Sequence, residues 1–472
     1  MNIKKFIIPA ILICSPYVIS NYLVFVFLVP VLGLLYSPAK TKNLHFFIFT
    51  LITACCVLLP LLAYDPGVYL LGVAVATTFV TTFLIVSGKL INRFKNTRFS
   101  IFIPSLVWIL LLYVLNFRSL AVSVFDVGIL FPSSAPVIWY TGSIGLTLLI
   151  ILFNSAIARY LTKKDKFSLV TAILLMSIFL LSHIFSLNSN SANLHNSEKS
   201  KKVALIQGDV PRDSIFGYTE RLEKRISRYI DLSEKAAKEK PDLIVWPEYT
   251  FPVDVMNEFP KKMRPVIDEI KKTNVCFIIG SLLIDQTKVK RQYNSALVFK
   301  GDGKLDGIYY ARDPAPFNRN IRVKDKAEEF YPDNMGITLC WEELNAAIFR
   351  DYVSKGAEYF VSLSSNTDLD YSWFKRYASF FSRARAAENM RYLARSTQTG
   401  ITQIIDPFGK VVLRLPSNCS TFLIGELYGI NEKTFYSKYG DVITKIFVIL
   451  IFLRAFIGTI GKRLKRGKVA RA

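Results

Sequence analysis

The sequence predicts a membrane bundle of eight transmembrane helices joined to one large α/β domain. Three observations predict it. Apolar residues make up 51% of the 472 residues, at the upper edge of what an ordinary soluble domain carries. They are concentrated in residues 6 to 187 and 442 to 460, in runs long enough to cross a bilayer at about 20 residues per helix. Between these regions lies a stretch of mixed charge, in which short apolar runs alternate with amphipathic ones.

The spans fall at 6 to 20, 21 to 37, 44 to 63, 68 to 88, 99 to 116, 135 to 158 and 167 to 187, with an eighth from Val442. Lys4 and Lys5 before a short apolar run resemble a secretory signal, but a second span follows at once, so an uncleaved anchor is expected. Ser37-Pro38 and Asp65-Pro66-Gly67 separate neighbouring helices. The aromatic connection from Arg118 to Trp139, with Phe125 and Phe131, reads either as an interfacial segment or as a loosely packed loop. Arg454 in the eighth span is costly at a bilayer centre. It lies in the half from which a long side chain reaches the interface.

A net charge of +23 raises the question of nucleic acid, and the distribution of charge argues against it. Every second connection is basic: Lys4 and Lys5, Lys40 and Lys42, Lys89 to Arg98, Arg159 to Lys166, and the tail from Lys462 to Arg471. The alternate connections carry almost no Lys or Arg. This is the positive-inside pattern. It puts both termini in the cytoplasm and turns the α/β domain outward.

The expected organisation is therefore 1–187 for the first seven helices, a polar linker at 188–201, an outward domain at 202–433, and 434–472 for the last helix and basic tail. Strands are expected at Val203 to Ile206, Leu243 to Trp246, Val275 to Ile279, Ser295 to Phe299, Gly307 to Tyr310, Tyr359 to Leu363, Ile401 to Ile405, Val411 to Leu413 and Thr421 to Ile424. Tyr218 to Lys240 carries an apolar stripe at Leu222, Ile226, Ile230 and Ala237 and reads as a helix. Helices are also expected at Lys261 to Lys272 and Trp373 to Arg395. Near-continuous apolar strands indicate a sheet buried on both faces.

Cys340 lies in the stretch Gly336 to Glu342, between a short apolar strand and a helix over Glu343 to Lys355. A thiol at the positive end of a helix dipole favours the thiolate. A buried structural cysteine fits this stretch equally well. Of the six cysteines, Cys276, Cys340 and Cys419 fall in the outward domain. Three is odd, so at least one is unpaired or pairs between chains. No spacing suits a metal, and no cofactor is expected. His45 and His183 lie in spans and His195 in the linker, so the domain offers no histidine base. A carboxylate is available instead. The apolar strand from Asp242 ends at Pro247 and delivers Glu248 to a carboxyl edge, where α/β sheets gather catalytic groups. Desolvation beside a thiol would suit Glu248 as a general base.

Several further motifs accompany these residues: Val203-Ala-Leu-Ile-Gln-Gly-Asp-Val-Pro, Ile244-Val-Trp-Pro-Glu248, Tyr293-Asn-Ser-Ala-Leu-Val, Leu339-Cys-Trp-Glu342, Ser365-Asn366, Arg385-Ala-Ala-Glu388, Arg395-Ser-Thr-Gln-Thr-Gly400, Asp406-Pro-Phe-Gly409 and Thr434-Phe-Tyr-Ser-Lys-Tyr-Gly440. In this order they resemble the nitrilase superfamily. With seven spans before and one after, the chain resembles its membrane branch, the apolipoprotein N-acyltransferase family. The resemblance implies an αββα sandwich and a bacterial inner-membrane enzyme, a monomer. Such an enzyme moves an acyl chain from a phospholipid donor, through a cysteine thioester, to the N-terminal amine of a lipoprotein. Glu248 matches the family's base, Cys340 its nucleophile and Glu342 a supporting carboxylate. Gly400 and Thr397 would shape the pocket wall.

The family's lysine is missing. Aligned on Pro316-Phe317, its position is Ala311, and Arg319 replaces another family carboxylate. That lysine stabilises an oxyanion, and loss of such a donor costs about 3 to 4 kcal/mol. Arg312 is the tentative substitute, provided a bulge at Asp313-Pro314 rotates it inward. Two other readings stay open: a divergent relative of the conjugal-transfer type acting on another acyl or amide substrate, and a catalytically silent binding protein.

Overall fold

The computed structural model describes residues 66–116, 125–194, 200–210, 219–285, 291–315, 321–324, 332–367 and 372–469, with scattered positions between 32 and 58. The chain divides into two compact units.

In the first unit, α1 (Pro66–Arg93) is followed by a 3-10 turn at Arg98–Phe102 that runs into α2 (Ile103–Asn116), and then by α3 (Val137–Lys163) and α4 (Lys166–Asn188). Four helical stretches among the described residues are long and apolar enough to cross a membrane: Tyr69–Arg93, Arg98–Leu115, Val137–Lys163 and Lys166–Asn188. They correspond to the expected spans at 68 to 88, 99 to 116, 135 to 158 and 167 to 187. The three earlier spans lie largely outside the described residues. A further 28-residue helix, Val442–Val469, covers the stretch where the last span is expected and exposes Ile446, Ile449, Leu450, Phe452 and Leu453. The polar end of α3 is tied down locally: Arg159 donates to the Thr97 carbonyl at 2.7 Å and to Asp165 at 3.3 Å. The described part of the aromatic connection is packed. Val127, Ile129 and Leu130 are buried, the Phe125 and Phe79 rings stack at 4.1 Å, and Trp108 donates to the Phe125 carbonyl at 3.0 Å.

The second unit is an αββα sandwich. One sheet has the strand order β11-β1-β2-β3-β4-β5 and the other β10-β9-β8-β7-β6. The strands are β1 (Ser200–Gln207), β2 (Leu243–Phe251), β3 (Cys276–Asp285), β4 (Arg291–Phe299), β5 (Leu305–Tyr310), β6 (Met335–Leu339), β7 (Tyr359–Ser364), β8 (Leu393–Thr397), β9 (Gln403–Ile405), β10 (Val411–Arg414) and β11 (Thr421–Tyr428). Each sheet contains three parallel strands: β1-β2-β3 lie between antiparallel strands on both sides, whereas β6-β7-β8 form one side of the second sheet, with β6 at its edge and antiparallel β9 and β10 beyond β8. The sheets meet on these parallel strands, where the Ser396 hydroxyl donates to the carbonyls of Ile206 at 2.9 Å and Val245 at 3.3 Å. Two helices, α5 (Thr219–Ala237) and α6 (Pro260–Thr273), cover the outer face of the first sheet. Their core holds Ile226, Tyr229, Val266 and Ile270 against Ala204, Trp246 and Phe277. The second sheet is covered by α7 (Ala346–Ser354) and α8 (Ser372–Asn389).

Three expectations need correction. β1 begins at Ser200, inside the stretch read as linker. The helix expected to start at Glu343 starts at Ala346, because Asn345 accepts the Ala347 N–H at 3.1 Å and caps it there. The long helix expected to run to Arg395 stops at Asn389. Met390 turns left-handed with φ 53°, and residues 393 to 397 pair with β7 as a strand. The periodic apolar residues of α8 continue into those of the strand, which hid the boundary.

Candidate active site

The parallel strands of both sheets deliver their carboxyl ends to one rim. Glu248 lies in β2 immediately after Pro247, at a register shift against β3 between Trp246 and Phe251. The shift requires Gly280. A Cβ there would stand 2.2 Å from the Pro247 carbonyl oxygen and 2.6 Å from the Glu248 Cα. Cys340 follows β6 and opens a 3-10 turn, Cys340–Leu344. Its φ of 48° is in the left-handed region, which a non-glycine residue adopts at a cost and which is common at functional sites.

This turn brings the thiol beside the Glu248 carboxylate and the Ser364 hydroxyl. Glu248 is buried, and its Oε1 accepts the Asn294 amide at 2.7 Å. Its backbone carbonyl accepts from Gln398 at 3.1 Å. Burial holds the Cys340 thiol well above its ordinary pKa, and the Glu248 charge pushes it further in the same direction. Both effects favour the protonated thiol, contrary to the thiolate expected from a helix dipole. A short 3-10 turn supplies little dipole, and two carboxylates, Glu248 and Glu343, face the sulfur. The pair suits a reaction in which the proton leaves for Glu248 only as the sulfur attacks.

Glu342 is fully buried and ties the turn together. Its carboxylate accepts the Leu339 N–H at 2.8 Å, the Tyr309 hydroxyl at 2.8 Å and the backbone N–H groups of Arg312 at 2.6 Å and Asp313 at 3.3 Å. Burial pushes its carboxyl up to about 7, while the hydrogen bonds pull in the opposite direction.

The carbon-nitrogen hydrolase family model matches residues 202–428, the stretch that contains both sheets and all of these side chains. Residues 202–428 are thus similar to carbon-nitrogen hydrolases. Similarity to curated proteins extends over more of the chain. An apolipoprotein N-acyltransferase of Wigglesworthia glossinidia brevipalpis is 23% identical over 68% of this chain and 67% of its own length. One of Geobacter metallireducens is 27% identical over 64% of this chain and 63% of its own length. The match thus spans about two thirds of the length of these curated relatives. Among solved structures, a carbon-nitrogen hydrolase from Helicobacter pylori is 18% identical, with a TM-score of 0.40, over 48% of this chain and 89% of that one.

Within this stretch, Ala311 occupies the position where the resemblance puts a lysine, and it is buried. Its N–H extends the ladder by donating to the Asn294 carbonyl at 2.9 Å. Arg312 does not turn inward. Its guanidinium donates to Asp351 at 2.6 Å and stacks on the Tyr352 ring at 4.8 Å. The tentative placement of this cation at the thiol is therefore corrected, because the backbone turn at Arg312 and Asp313 is held by Glu342 and sends the side chain to Asp351. Arg319 lies outside the described residues. Thr397 and Gly400 lie on the rim: the Thr397 hydroxyl reaches Gln207 at 3.4 Å, and a Cβ on Gly400 would stand 2.3 Å from Asn366 Oδ1. Arg385 and Glu388 pair in the interior at 3.2 Å.

Sequence reasoning missed Glu343, Ser364, Asn294 and the role of Arg395. Arg395 is wholly buried and pairs with Glu343 at 2.8 Å. The signal was available in part, since Arg395 opens one of the family-like motifs. Among the described residues no group of His, Cys, Asp and Glu could hold a metal.

Proposed function

We propose that this chain is an acyltransferase that moves a fatty acyl group from a phospholipid to the N-terminal amine of a lipoprotein. One observation carries the reading, the contact between the Glu248 carboxylate and the Cys340 thiol at the rim of the sandwich. In the first half-reaction the Cys340 sulfur attacks the ester carbonyl and Glu248 takes the thiol proton. The tetrahedral intermediate collapses, Glu248 returns that proton to the departing lysophospholipid alkoxide, and a thioester remains. In the second, the lipoprotein amine attacks the thioester and gives a proton to Glu248. The amide forms, and the proton returns to the leaving sulfur.

Glu342 holds the nucleophile turn in register with β5. Substrates anchored in a bilayer suit a chain with membrane-spanning helices, and we read eight crossings with both termini cytoplasmic and the domain outside, in a bacterial inner membrane. The likeness to apolipoprotein N-acyltransferases supports this choice of donor and acceptor. Ala311 favours a second reading, a divergent relative that uses the same thiol on another acyl or amide substrate.

Mass spectrometry of the peptide bearing Cys340 after incubation with phospholipid tests the proposal. The expected result is an acyl mass on Cys340 that a diacylated lipoprotein peptide removes. Absence of the adduct in a folded protein overturns acyl transfer. An adduct that the lipoprotein peptide leaves in place points to the divergent relative.

A further inference from the structure

Position 311 carries no cation, yet a fully buried arginine lies one hydroxyl away from the thiol. Parallel β6 and β7 pair Leu339 with Leu363, so the next residues, Cys340 and Ser364, come side by side. On the neighbouring strand, β8, Arg395 points its Nη2 at the Ser364 hydroxyl, 3.1 Å, and at Asn366 Oδ1, 2.9 Å. Its Nε donates to Glu343 at 2.8 Å and its Nη1 to the Ile401 carbonyl at 3.1 Å. Arg395 and Ser364 are both buried, as is Glu343.

The donor count fixes the direction of these bonds. A guanidinium donates only, whereas a serine hydroxyl has one proton and two lone pairs. Arg395 occupies a lone pair of Ser364, which leaves the single Ser364 proton available to the sulfur beside it. The charged groups facing the thiol are Glu248 from β2 and Glu343 from the 3-10 turn. Arg395 compensates the second of these through its ion pair.

We propose that Arg395 and Ser364 form a positioning relay that aims one hydroxyl proton at the Cys340 sulfur and provides, from β8, the positive charge that Ala311 lacks. The relay rests on the reading of Cys340 as the nucleophile. As the thiol proton passes to Glu248, the Ser364 O–H stabilises the sulfur anion, and Arg395 polarises that O–H while keeping Glu343 from opposing it.

The test uses the full-length protein in detergent and follows iodoacetamide alkylation of Cys340 by peptide mass spectrometry as a function of pH, beside thermal unfolding. Ser364→Ala should move the alkylation midpoint up by at least one pH unit, a tenfold slower reaction at a fixed pH below it. Ser364→Thr should restore the wild-type profile. Glu343→Gln, with Arg395 intact, should move the midpoint down. An unchanged or lowered midpoint in a folded Ser364→Ala protein overturns the relay. Thioester formation in the same samples separates the two ideas. A wild-type thioester with an unmoved Ser364→Ala midpoint refutes the relay alone, whereas a moved midpoint without any thioester refutes acyl transfer alone.

Discussion

The Asn294 side-chain amide donates to Glu248 Oε1 at 2.7 Å, and both residues are buried. Asn294 thereby fixes the plane of the carboxylate that meets Cys340. A hydrogen bond to a charged group contributes about 1.5 to 3 kcal/mol. Asn294→Ala should lower turnover about 10- to 100-fold while Cys340 still acquires its acyl group, measured as single-turnover thioester formation.

Glu248→Gln should move two observables in opposite directions. Acyl transfer should fall by about 10² to 10⁴, the usual worth of a general base. Alkylation of Cys340 at pH 8 should become faster, because the charge that holds the thiol proton in place is gone. A slower alkylation would show that Glu248 generates thiolate in the resting protein.

Gly280→Ala should disable the site with every polar group retained. The added methyl meets the Pro247 carbonyl oxygen and the Glu248 Cα at 2.2 and 2.6 Å, and backbone cannot rotate away as a side chain can. A cost of about 1 to 3 kcal/mol in stability is expected from overpacking, with acyl transfer reduced more than unfolding explains. Thermal unfolding and thioester formation on one preparation check both.

Arg312→Gln distinguishes a surface cation from an oxyanion donor. The Arg312–Asp351 pair is about one third exposed on each side, where such pairs contribute about 0.2 to 1 kcal/mol. Turnover should change by less than about fivefold. A loss of about 10² to 10³ would return Arg312 to the reacting atoms.

Glu342 predicts a pH dependence of stability. Its carboxyl, ordinarily at 4.5, is pushed up to about 7 in the fold, so between these values the folded chain keeps a proton that the unfolded chain has released. Stability therefore falls as pH rises through this window, by about 3 kcal/mol in total from this group, and the loss is complete above the folded value. Glu342→Gln should flatten the slope of unfolding free energy between pH 4.5 and 7, read by denaturant titration. An unaltered slope would show that the hydrogen bonds from Leu339, Tyr309 and Arg312 offset burial.

The sequence alone was sufficient for much of the architecture and for picking out Glu248 and Cys340, the two candidate groups that the fold brings together. Strands such as Leu243 to Trp246 are short apolar runs whose burial is written in their composition, and a cysteine or glutamate at the end of such a run has a position fixed by local chain geometry. The surroundings of these groups were decided by tertiary structure. Arg395 continued the apolar pattern of a helix, and only pairing with β7 made it a strand residue beside Ser364. Arg312 stood next to the vacant lysine position, and only the Glu342 carboxylate, thirty residues away in sequence, determined which way its side chain turned. Local periodicity specifies which residues are buried. The direction of a charged side chain depends on partners that the chain brings in from other strands, and those contacts exist only once the two sheets have closed on each other.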